Sequence, residues 1–192
     1  MTETADALEP LLEFLKRERG FDFTGYKRSS LERRVRKRME EVEVATLGDY
    51  LDFLEVHPDE FTALFNTILI NVTSFFRDAP AWQRLDEQVL PELLQAIGDR
   101  DIRVWSAGCA SGEEPYTIAM LLVRHLGEAA FRDRVKVYAT DVDEEALNTA
   151  RLATYTPKQV EPVPADLLDR CFEKAGGNYA FRKDLRRSLI FG

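Results

Sequence analysis

The strongest constraint on the fold is a change in the spacing of apolar residues near residue 100. Two short runs rich in β-branched residues, 102–107 and 135–141, are separated by a helical segment at 113–126, and another follows at about 143–151. Parallel strands need a crossover connection, which is usually a helix, so this order predicts a parallel α/β sheet. We expect this α/β domain to occupy residues 99–192.

Further elements are expected toward the end of the chain. A short helix is predicted near 165–174, followed by two strands at 176–181 and 185–192 that a turn joins.

The first 70 residues contain several segments with helical spacing, joined by loops such as GFDFTGY, which predicts a small all-helical domain at 1–70. One helix is expected to begin at Ser29 or Ser30 as its N-cap, and another at Pro58. The remaining segment, 71–98, is expected to form a linker and helices that are kinked or split at Pro91, because proline has no N–H to donate. The apolar stripe of the second helix is Leu31, Val35, Met39 and Val42.

Basic residues are concentrated in one segment of an acidic chain. Residues 27–38 contain seven basic residues and one acid, whereas the whole chain has a net charge of −8. This asymmetry predicts one basic docking surface on an acidic body. Such clusters also bind nucleic-acid phosphates, but the acidic remainder and the lack of interleaved aromatic residues argue against a nucleic-acid partner.

Several functional classes lack support in the sequence. Cys109 and Cys171 form no CxxC pair, and His57 and His125 stand apart, so we expect neither a metal site nor a cysteine nucleophile. No apolar run approaches the roughly 20 residues that span a bilayer, and the N-terminal segment lacks the pattern of a secretory signal. We therefore expect a cytoplasmic protein without membrane insertion.

A glycine turn follows the first strand, but its surroundings differ from those of a dinucleotide site. Gly108 and Gly112 form a G-x-x-x-G turn, and Glu113 and Glu114 stand where the next helix begins. Helix N-termini attract phosphate through free N–H groups, and two carboxylates there would repel a pyrophosphate. Asp141 ends the second strand, where an acid typically accepts hydrogen bonds from ribose hydroxyls.

Together these residues favour an adenosine ligand that has no phosphates and carries positive charge. S-adenosylmethionine fits, since it has a sulfonium, an ammonium and one carboxylate, whereas the acids disfavour NAD. Taken singly, each feature also has a purely structural explanation. Acids in the first turn stabilise a helix, and Asp141 can serve as the N-cap of the helix at 143–151.

Four segments carry a resemblance to a known family: FDFTGYKRSSLERRVRKRM, NTILINVTSFFRD, RVWSAGCASGEEPYTIAM and VYATDVDEEALNTAR. With these segments in this order, the chain resembles the chemotaxis receptor methyltransferases, the CheR family. The resemblance implies a helical domain, a linker and a Rossmann-like methyltransferase domain with a β subdomain inserted at about 154–188. It also implies S-adenosylmethionine as cofactor, S-adenosylhomocysteine as product, and methylation of glutamate side chains on the cytoplasmic helices of bacterial chemoreceptors.

The resemblance also implies roles for individual residues. Arg77 is expected beside the reacting groups as well as the cofactor, and Phe75 and Phe76 are expected to pack between the two domains. The residues implied to contact the cofactor are Asn71, Thr73, Arg77, Glu114 and Asp141, together with Gly108 and Gly112 of the turn. The basic helix is expected to face acidic receptor helices through Arg33, Arg34, Arg36, Lys37 and Arg38.

Members of this family continue through further strands beyond the position of Gly192. We therefore expect a methyltransferase domain that ends after its third strand, in a fragment or truncated product that transfers methyl groups poorly or not at all. The alternatives are a non-catalytic module that docks on receptors or binds S-adenosylmethionine, and a nucleic-acid methyltransferase.

Overall fold

The computed structural model describes residues 3–20, 22–69 and 72–192. The chain divides into a first unit, Met1–Ile70, and a second unit, Asn71–Gly192. Within the described residues, no helix combines the length and the apolar character needed to cross a membrane.

The first unit is helical in its described residues. Its helices are α1 (Glu3–Arg19), α2 (Arg28–Glu41), α3 (Leu47–Val56) and α4 (Pro58–Ile68). The apolar stripe of α2 faces the core, where Leu31, Val35 and Met39 are buried. Pro58 begins α4 as predicted, because a helix needs no N–H from its first residue.

The predicted start of α2 is wrong. The helix begins at Arg28, with Lys27 as its N-cap, and no side chain caps it. The backbone of Lys27 is already extended, and its carbonyl accepts hydrogen bonds from the N–H groups of Ser30 (2.9 Å) and Leu31 (3.2 Å). Ser29 and Ser30 therefore lie inside the first turn of the helix rather than before it.

One buried polar cluster joins three helices of the first unit. The Glu60 carboxylate, 7% exposed, is paired with the Arg38 guanidinium, whose Nε donates to Oε1 at 2.9 Å. The Tyr50 hydroxyl donates to the same oxygen at 2.6 Å. Burial raises the pKa of Glu60, but the hydrogen bonds from Arg38 and Tyr50 outweigh burial and hold it below its ordinary value.

The second unit begins with a helical segment that is interrupted near Pro91. Helix α5 (Ala79–Arg84) runs into one π turn (Leu85–Val89), and α6 (Leu90–Ile97) follows, with Pro91 in its first turn. The predicted disturbance at Pro91 is confirmed as this π turn within a continuous helix, and not as a split. Its physical reason is that proline cannot donate to the preceding turn, which widens there.

A three-stranded parallel sheet forms the centre of the second unit. Its strands are β1 (Ile102–Ala107), β2 (Val135–Thr140) and, later in the chain, β6 (Leu189–Phe191), in the order β1-β2-β6. Helices α7 (Glu113–Leu126) and α8 (Glu128–Arg134) connect β1 to β2, and α9 (Glu144–Leu152) follows β2. This arrangement confirms the predicted parallel α/β fold preceded by an all-helical unit.

The two faces of the sheet differ. Side chains such as Val137 and Ala139 are fully buried on one face. On the other face Trp105, Tyr138 and Ile190 lie side by side in register on the three strands and are exposed, Trp105 by 71%.

A second, antiparallel sheet lies between α9 and β6 in the sequence. It comprises β3 (Thr154–Tyr155), β4 (Phe172–Ala175) and β5 (Asn178–Phe181), in the order β3-β5-β4. Three short helices accompany it: α10 (Pro157–Val160), α11 (Ala165–Cys171) and α12 (Lys183–Arg186).

The predictions for this region are partly wrong. The helix expected at 165–174 ends at Cys171, and the hairpin β4–β5 follows it. The two strands expected to be joined by a turn belong to different sheets, and α12 separates them. Burial of Phe172 and Phe181 in the core decides both outcomes, because their rings pack edge to face across the hairpin, with centroids 5.1 Å apart.

The polar cluster of the first unit makes stability depend on pH. Replacing Tyr50 with Phe should lower the free energy of unfolding by about 1.5 kcal/mol at neutral pH, because the charged Glu60 loses a buried hydrogen bond. Because the pKa of Glu60 is lower in the folded chain than its ordinary value of about 4.5, its ionised form stabilises the fold at pH values above 4.5. This stabilisation is lost as the pH falls through the lowered pKa. The difference between variant and wild type should therefore shrink in acid. Urea unfolding followed by circular dichroism measures both effects.

The control is Tyr26→Phe, which removes a hydroxyl from an exposed ring in the same unit. Equal destabilisation by Tyr26→Phe and Tyr50→Phe at neutral pH would contradict this account of the cluster.

Candidate functional site

A glycine loop joins the end of β1 to the start of α7 and bends over the end of β2. The N–H groups of Gly108 and Cys109 both donate to the carbonyl of Thr140, at 2.8 and 3.0 Å. Gly108 and Gly112 have φ angles of +72° and +95°, which glycine adopts without the strain that other residues suffer. The loop is therefore fixed to the carboxyl end of the sheet, where ligands of parallel α/β folds bind.

The two glycines meet different surroundings. A Cβ at Gly112 would lie 2.9 Å from the Cβ of Ala150 and 3.0 Å from the hydroxyl oxygen of Tyr155, so only glycine fits there. A Cβ at Gly108 would meet no atom within 4 Å. Gly112 thus lets the loop pack closely against Ala150 and Tyr155, whereas Gly108 faces open space that a ligand can approach.

Asp141 connects the two strand ends. Its Oδ2 accepts a hydrogen bond from the N–H of Ala110 in the glycine loop at 2.7 Å, and its Oδ1 accepts one from the N–H of Asp143 at 2.9 Å. The N-cap of α9 is Asp143, whose carboxylate accepts from the N–H groups of Glu145 and Ala146. Asp141 is therefore not the N-cap of α9, and it is held beside the loop instead.

The two acids at the start of α7 have different positions. Glu113 is buried, and its Oε2 accepts a hydrogen bond from the Ser111 hydroxyl at 2.7 Å. Glu114 is exposed, and its Oε1 accepts from the Ser106 hydroxyl of β1 at 2.7 Å. Glu113 thus stabilises the loop internally, while Glu114 presents a carboxylate at the end of β1.

Two nearby carboxylates make the electrostatic potential around the loop negative. Burial is the main reason that the pKa of the Cys109 thiol rises to about 12, and the negative charges of Asp141 and Glu114 raise it further. Both carboxylates therefore act on the same point beneath the loop. A cation bound above it would be favoured, and a phosphate would be disfavoured.

Tyr155 also holds the loop, and the sequence did not reveal it. Its fully buried hydroxyl, from β3 of the antiparallel sheet, donates to the carbonyl of Ser111 at 2.8 Å. Burial raises its pKa well above the ordinary value, so the hydroxyl keeps its proton and remains a donor. A tyrosine in a two-residue strand has no recognisable sequence motif, and only the packing of the antiparallel sheet beside the glycine loop brings its hydroxyl to Ser111.

The segment before α5 packs on the same helix as the glycine loop. The N–H of Phe76 donates to the Thr117 hydroxyl of α7 at 3.3 Å, one turn beyond Glu113. The ring of Phe75 is buried within the second unit, 4.9 Å from the ring of Tyr155, and Phe76 lies beside Trp82. Both rings thus pack on neighbours within the second unit, and their packing between the domains stays a prediction.

The remaining candidates of this segment are less closely engaged. Arg77 is exposed, and its Nη1 donates to the carbonyl of Val72 at 2.8 Å. Thr73 is half-buried in the same stretch. Asn71 lies outside the described residues. The structure thus brings Gly108, Gly112, Glu114 and Asp141 together around one loop, and it places Thr73 and Arg77 on the segment that packs against α7.

The basic helix α2 uses two of its five candidate residues internally. The Nη1 of Arg34 donates to the carbonyls of Thr67 and Ile68, both at 2.9 Å, and so satisfies the last turn of α4. Arg38, 17% exposed, is paired with Glu60 and Glu41. We correct the expected docking surface accordingly, because these two cations are already bound within the unit.

Three of the five candidate cations remain on the surface of α2. Arg36 and Lys37 pair with acids of the same helix, Glu32 at 2.9 Å and Glu41 at 3.7 Å, in exposed contacts that contribute little. Arg33 is exposed and forms no ion pair with a described residue. The docking surface that remains after Arg34 and Arg38 are removed comprises Arg33, Arg36 and Lys37.

Comparison with known proteins identifies the family. A family model described as the CheR methyltransferase SAM-binding domain matches residues 71–192, and one described as the CheR methyltransferase all-alpha domain matches residues 6–69. The chain belongs to the CheR methyltransferase family. The match to the SAM-binding domain indicates S-adenosylmethionine as the methyl donor of this domain.

Individual relatives agree with this assignment. The chain is 34% identical over 180 residues to a chemotaxis protein methyltransferase of Listeria monocytogenes, covering 92% of the chain and 66% of that protein. It is 32% identical over 172 residues to the one of Escherichia coli, covering 88% of the chain and 57% of that protein. An uncharacterized 104.1 kDa protein of Rhodobacter capsulatus is 36% identical over 190 residues, which are 98% of the chain and 20% of that protein. The chain therefore spans about two thirds or less of each of these relatives.

The loop geometry fits the cofactor of the CheR family. S-adenosylmethionine has no phosphates and carries a sulfonium and an ammonium, so the acids that would repel a dinucleotide attract it. The open space at Gly108 gives it access to the backbone of the loop.

The contact between Tyr155 and the loop yields a test. Tyr155→Phe removes the donor to the Ser111 carbonyl and should weaken binding of S-adenosylhomocysteine about fivefold, because the loop loses one of its fixed points. Isothermal titration calorimetry gives the affinity, and the melting temperature Tm reports the accompanying loss of stability.

Tyr116→Phe is the matched control. It also deletes a fully buried hydroxyl that donates to a backbone carbonyl, that of Ala150 at 2.9 Å, but this carbonyl belongs to α9 rather than to the loop. Both variants should lose similar stability, and only Tyr155→Phe should lose affinity. A parallel loss of affinity in both would mean that the hydroxyl of Tyr155 has only a general structural role.

Proposed function

We propose that this chain transfers methyl groups from S-adenosylmethionine to glutamate side-chain carboxylates of chemoreceptors. The observation that carries the proposal is the placement of Asp141 and Glu114 around one glycine loop at the carboxyl ends of β1 and β2. Two carboxylates beside an open glycine suit a cationic adenosine compound and no common phosphorylated cofactor.

Asp141 is proposed to bind the ribose. Each of its carboxylate oxygens accepts one backbone hydrogen bond, from Ala110 or from Asp143. An ionised carboxylate has about four lone-pair positions, so both oxygens retain an acceptor site for the two ribose hydroxyls. The backbone bonds fix the carboxylate before the cofactor arrives, which lowers the entropy lost on binding.

Glu114 is proposed to bind the ammonium group of the methionine part. Its Oε1 is fixed by Ser106, and Oε2 forms no hydrogen bond with a described residue. The Gly108 backbone, Thr73 and Asn71 are proposed to complete the cofactor contacts.

The reaction needs alignment more than acid–base chemistry. When bound, S-adenosylmethionine supplies a methyl group on a sulfonium, from which a carboxylate oxygen can displace it. A glutamate carboxyl has a pKa of about 4.3 and is ionised at neutral pH, so no general base is required. Arg77 is proposed to orient the carboxylate: its guanidinium uses one nitrogen on the Val72 carbonyl and has further N–H groups to donate.

The exposed cations of α2 are proposed to contact acidic receptor helices. Arg33, Arg36 and Lys37 are exposed at one side of the helix, and electrostatic steering by such residues speeds association more than it strengthens the final complex.

The first test is cofactor binding. S-adenosylhomocysteine should bind with micromolar affinity, and Asp141→Ala should weaken it about 10- to 100-fold by removing a charged acceptor. Asp133→Ala, which removes an exposed acid from α8 of the same unit, should leave the affinity unchanged. Calorimetry measures each affinity. Failure of the folded wild-type chain to bind would refute the proposal.

The second test is methyl transfer itself. The chain, S-adenosylmethionine with a radiolabelled methyl group and a receptor methylation-region fragment should yield label that mild alkali releases as methanol, since carboxyl methyl esters hydrolyse readily. Label that resists alkali would exclude a glutamate ester. Tight cofactor binding without any transfer would favour a non-catalytic cofactor-binding module.

A further inference from the structure

A second cluster of basic residues lies beside the edge strand β6. The cluster surrounds a shallow surface hollow, and no acid lines it. Its lining residues are Arg151, Lys183, Arg186 and Arg187, with Leu189 and Phe191 as the apolar part. We call these six residues the β6 patch.

The cations of the β6 patch are largely unpaired, unlike other arginines of the second unit. Arg124 and Arg182 form close ion pairs, at 2.6 Å to Asp86 and 2.9 Å to Glu128. In contrast, Lys183 and Arg187 form no ion pair within the described residues, and Arg186 donates only to the carbonyl of Leu152 at 2.9 Å. Arg151 pairs with Glu144 at 3.2 Å, in a contact where both side chains are well exposed.

The β6 patch begins at the rim of the glycine loop. The Nη2 of Arg151 donates to the carbonyl of Phe191 at 3.4 Å, and the N–H of Asp141 donates to the carbonyl of Gly192 at 3.3 Å. The end of β6 therefore lies next to Asp141. The positive charge of Arg151 also acts on the thiol of Cys109 in the loop.

We propose that the β6 patch binds an acidic helical segment of the methyl-accepting protein while the cofactor site acts on it. This proposal rests on the proposed function. Four cations in a chain of net charge −8 attract carboxylates, and the apolar floor of Leu189 and Phe191 accepts one aliphatic side chain. An amphipathic acidic helix supplies both. A bare phosphate would leave the apolar floor uncovered.

The matched variants neutralise two charges each. Lys183→Gln/Arg187→Gln removes the two unpaired cations of the β6 patch. Arg103→Gln/Lys136→Gln removes two exposed cations that face each other on β1 and β2, so the net charge changes equally. None of the four residues belongs to the proposed cofactor site.

Two measurements test the proposal. With the receptor fragment as substrate, the patch variant should raise KM about fivefold at unchanged kcat, and the control should leave both unchanged. Fluorescence anisotropy should show the same fivefold loss of affinity in the patch variant, and none in the control, for a labelled synthetic helix that carries glutamate pairs and one leucine on one face. Affinity for S-adenosylhomocysteine should stay the same in both variants.

The peptide measurement separates this proposal from the proposed function, because it needs no turnover. If the chain transfers no methyl groups yet binds the peptide through the patch, only the proposed function fails. Equal weakening in both variants would overturn the patch proposal in favour of a general charge effect. A patch variant that loses affinity for duplex DNA but not for the peptide would overturn it in favour of a phosphate ligand. Self-association of the patch variant with unchanged KM would also overturn it, because the cations would then only protect the edge strand.

Discussion

The hydrogen bonds that tie the glycine loop to the end of β2 are the constraint on which the candidate site depends. Thr140 accepts from two consecutive loop amides, and Asp141 accepts from a third at Ala110. These bonds set the position of the start of α7, and with it Glu114. The same carboxylate that is proposed to bind ribose therefore also builds the loop, so structure and binding cannot be separated at Asp141. At Tyr155 they can be separated, because its hydroxyl contacts the loop at Ser111 and Gly112, whereas Gly108 is open.

The first unit illustrates how a basic sequence can lose much of its charge on folding. Seven basic residues occupy 27–38, but Arg34 satisfies the end of α4 and Arg38 neutralises the buried Glu60. A guanidinium suits both tasks, since it donates several hydrogen bonds in fixed directions. The positive surface that is left on α2 is smaller than the sequence implies. A comparable number of cations surrounds β6, where folding brings Arg151 beside Lys183, Arg186 and Arg187 of the short segment RKDLRR.

The sequence predicted those parts of the fold that short-range pattern controls. The bounds of α7, the strands β1 and β2 and the disturbance at Pro91 follow from periodicity, glycine and proline. The acids around the loop could be proposed for the same reason, since they stand at fixed offsets from a strand. The hairpin β4–β5 and the contact of Tyr155 could not be predicted, because packing of distant aromatic rings decides them. Ser29 and Ser30 show the converse error, in which good capping residues are present but the extended backbone of Lys27 places the cap two residues before Ser29.

The two cysteines offer a consequence of a different kind. Both thiols are buried and have a pKa raised to about 12, chiefly by burial, so neither reacts appreciably in the folded chain. Cys109 lies in the glycine loop, whereas Cys171 lies at the end of α11 in the main core. The alkylation rate of Cys109 therefore reports how often the loop opens, and that of Cys171 reports how often the core opens. A ligand bound at the loop would slow the alkylation of Cys109 and leave that of Cys171 nearly unchanged.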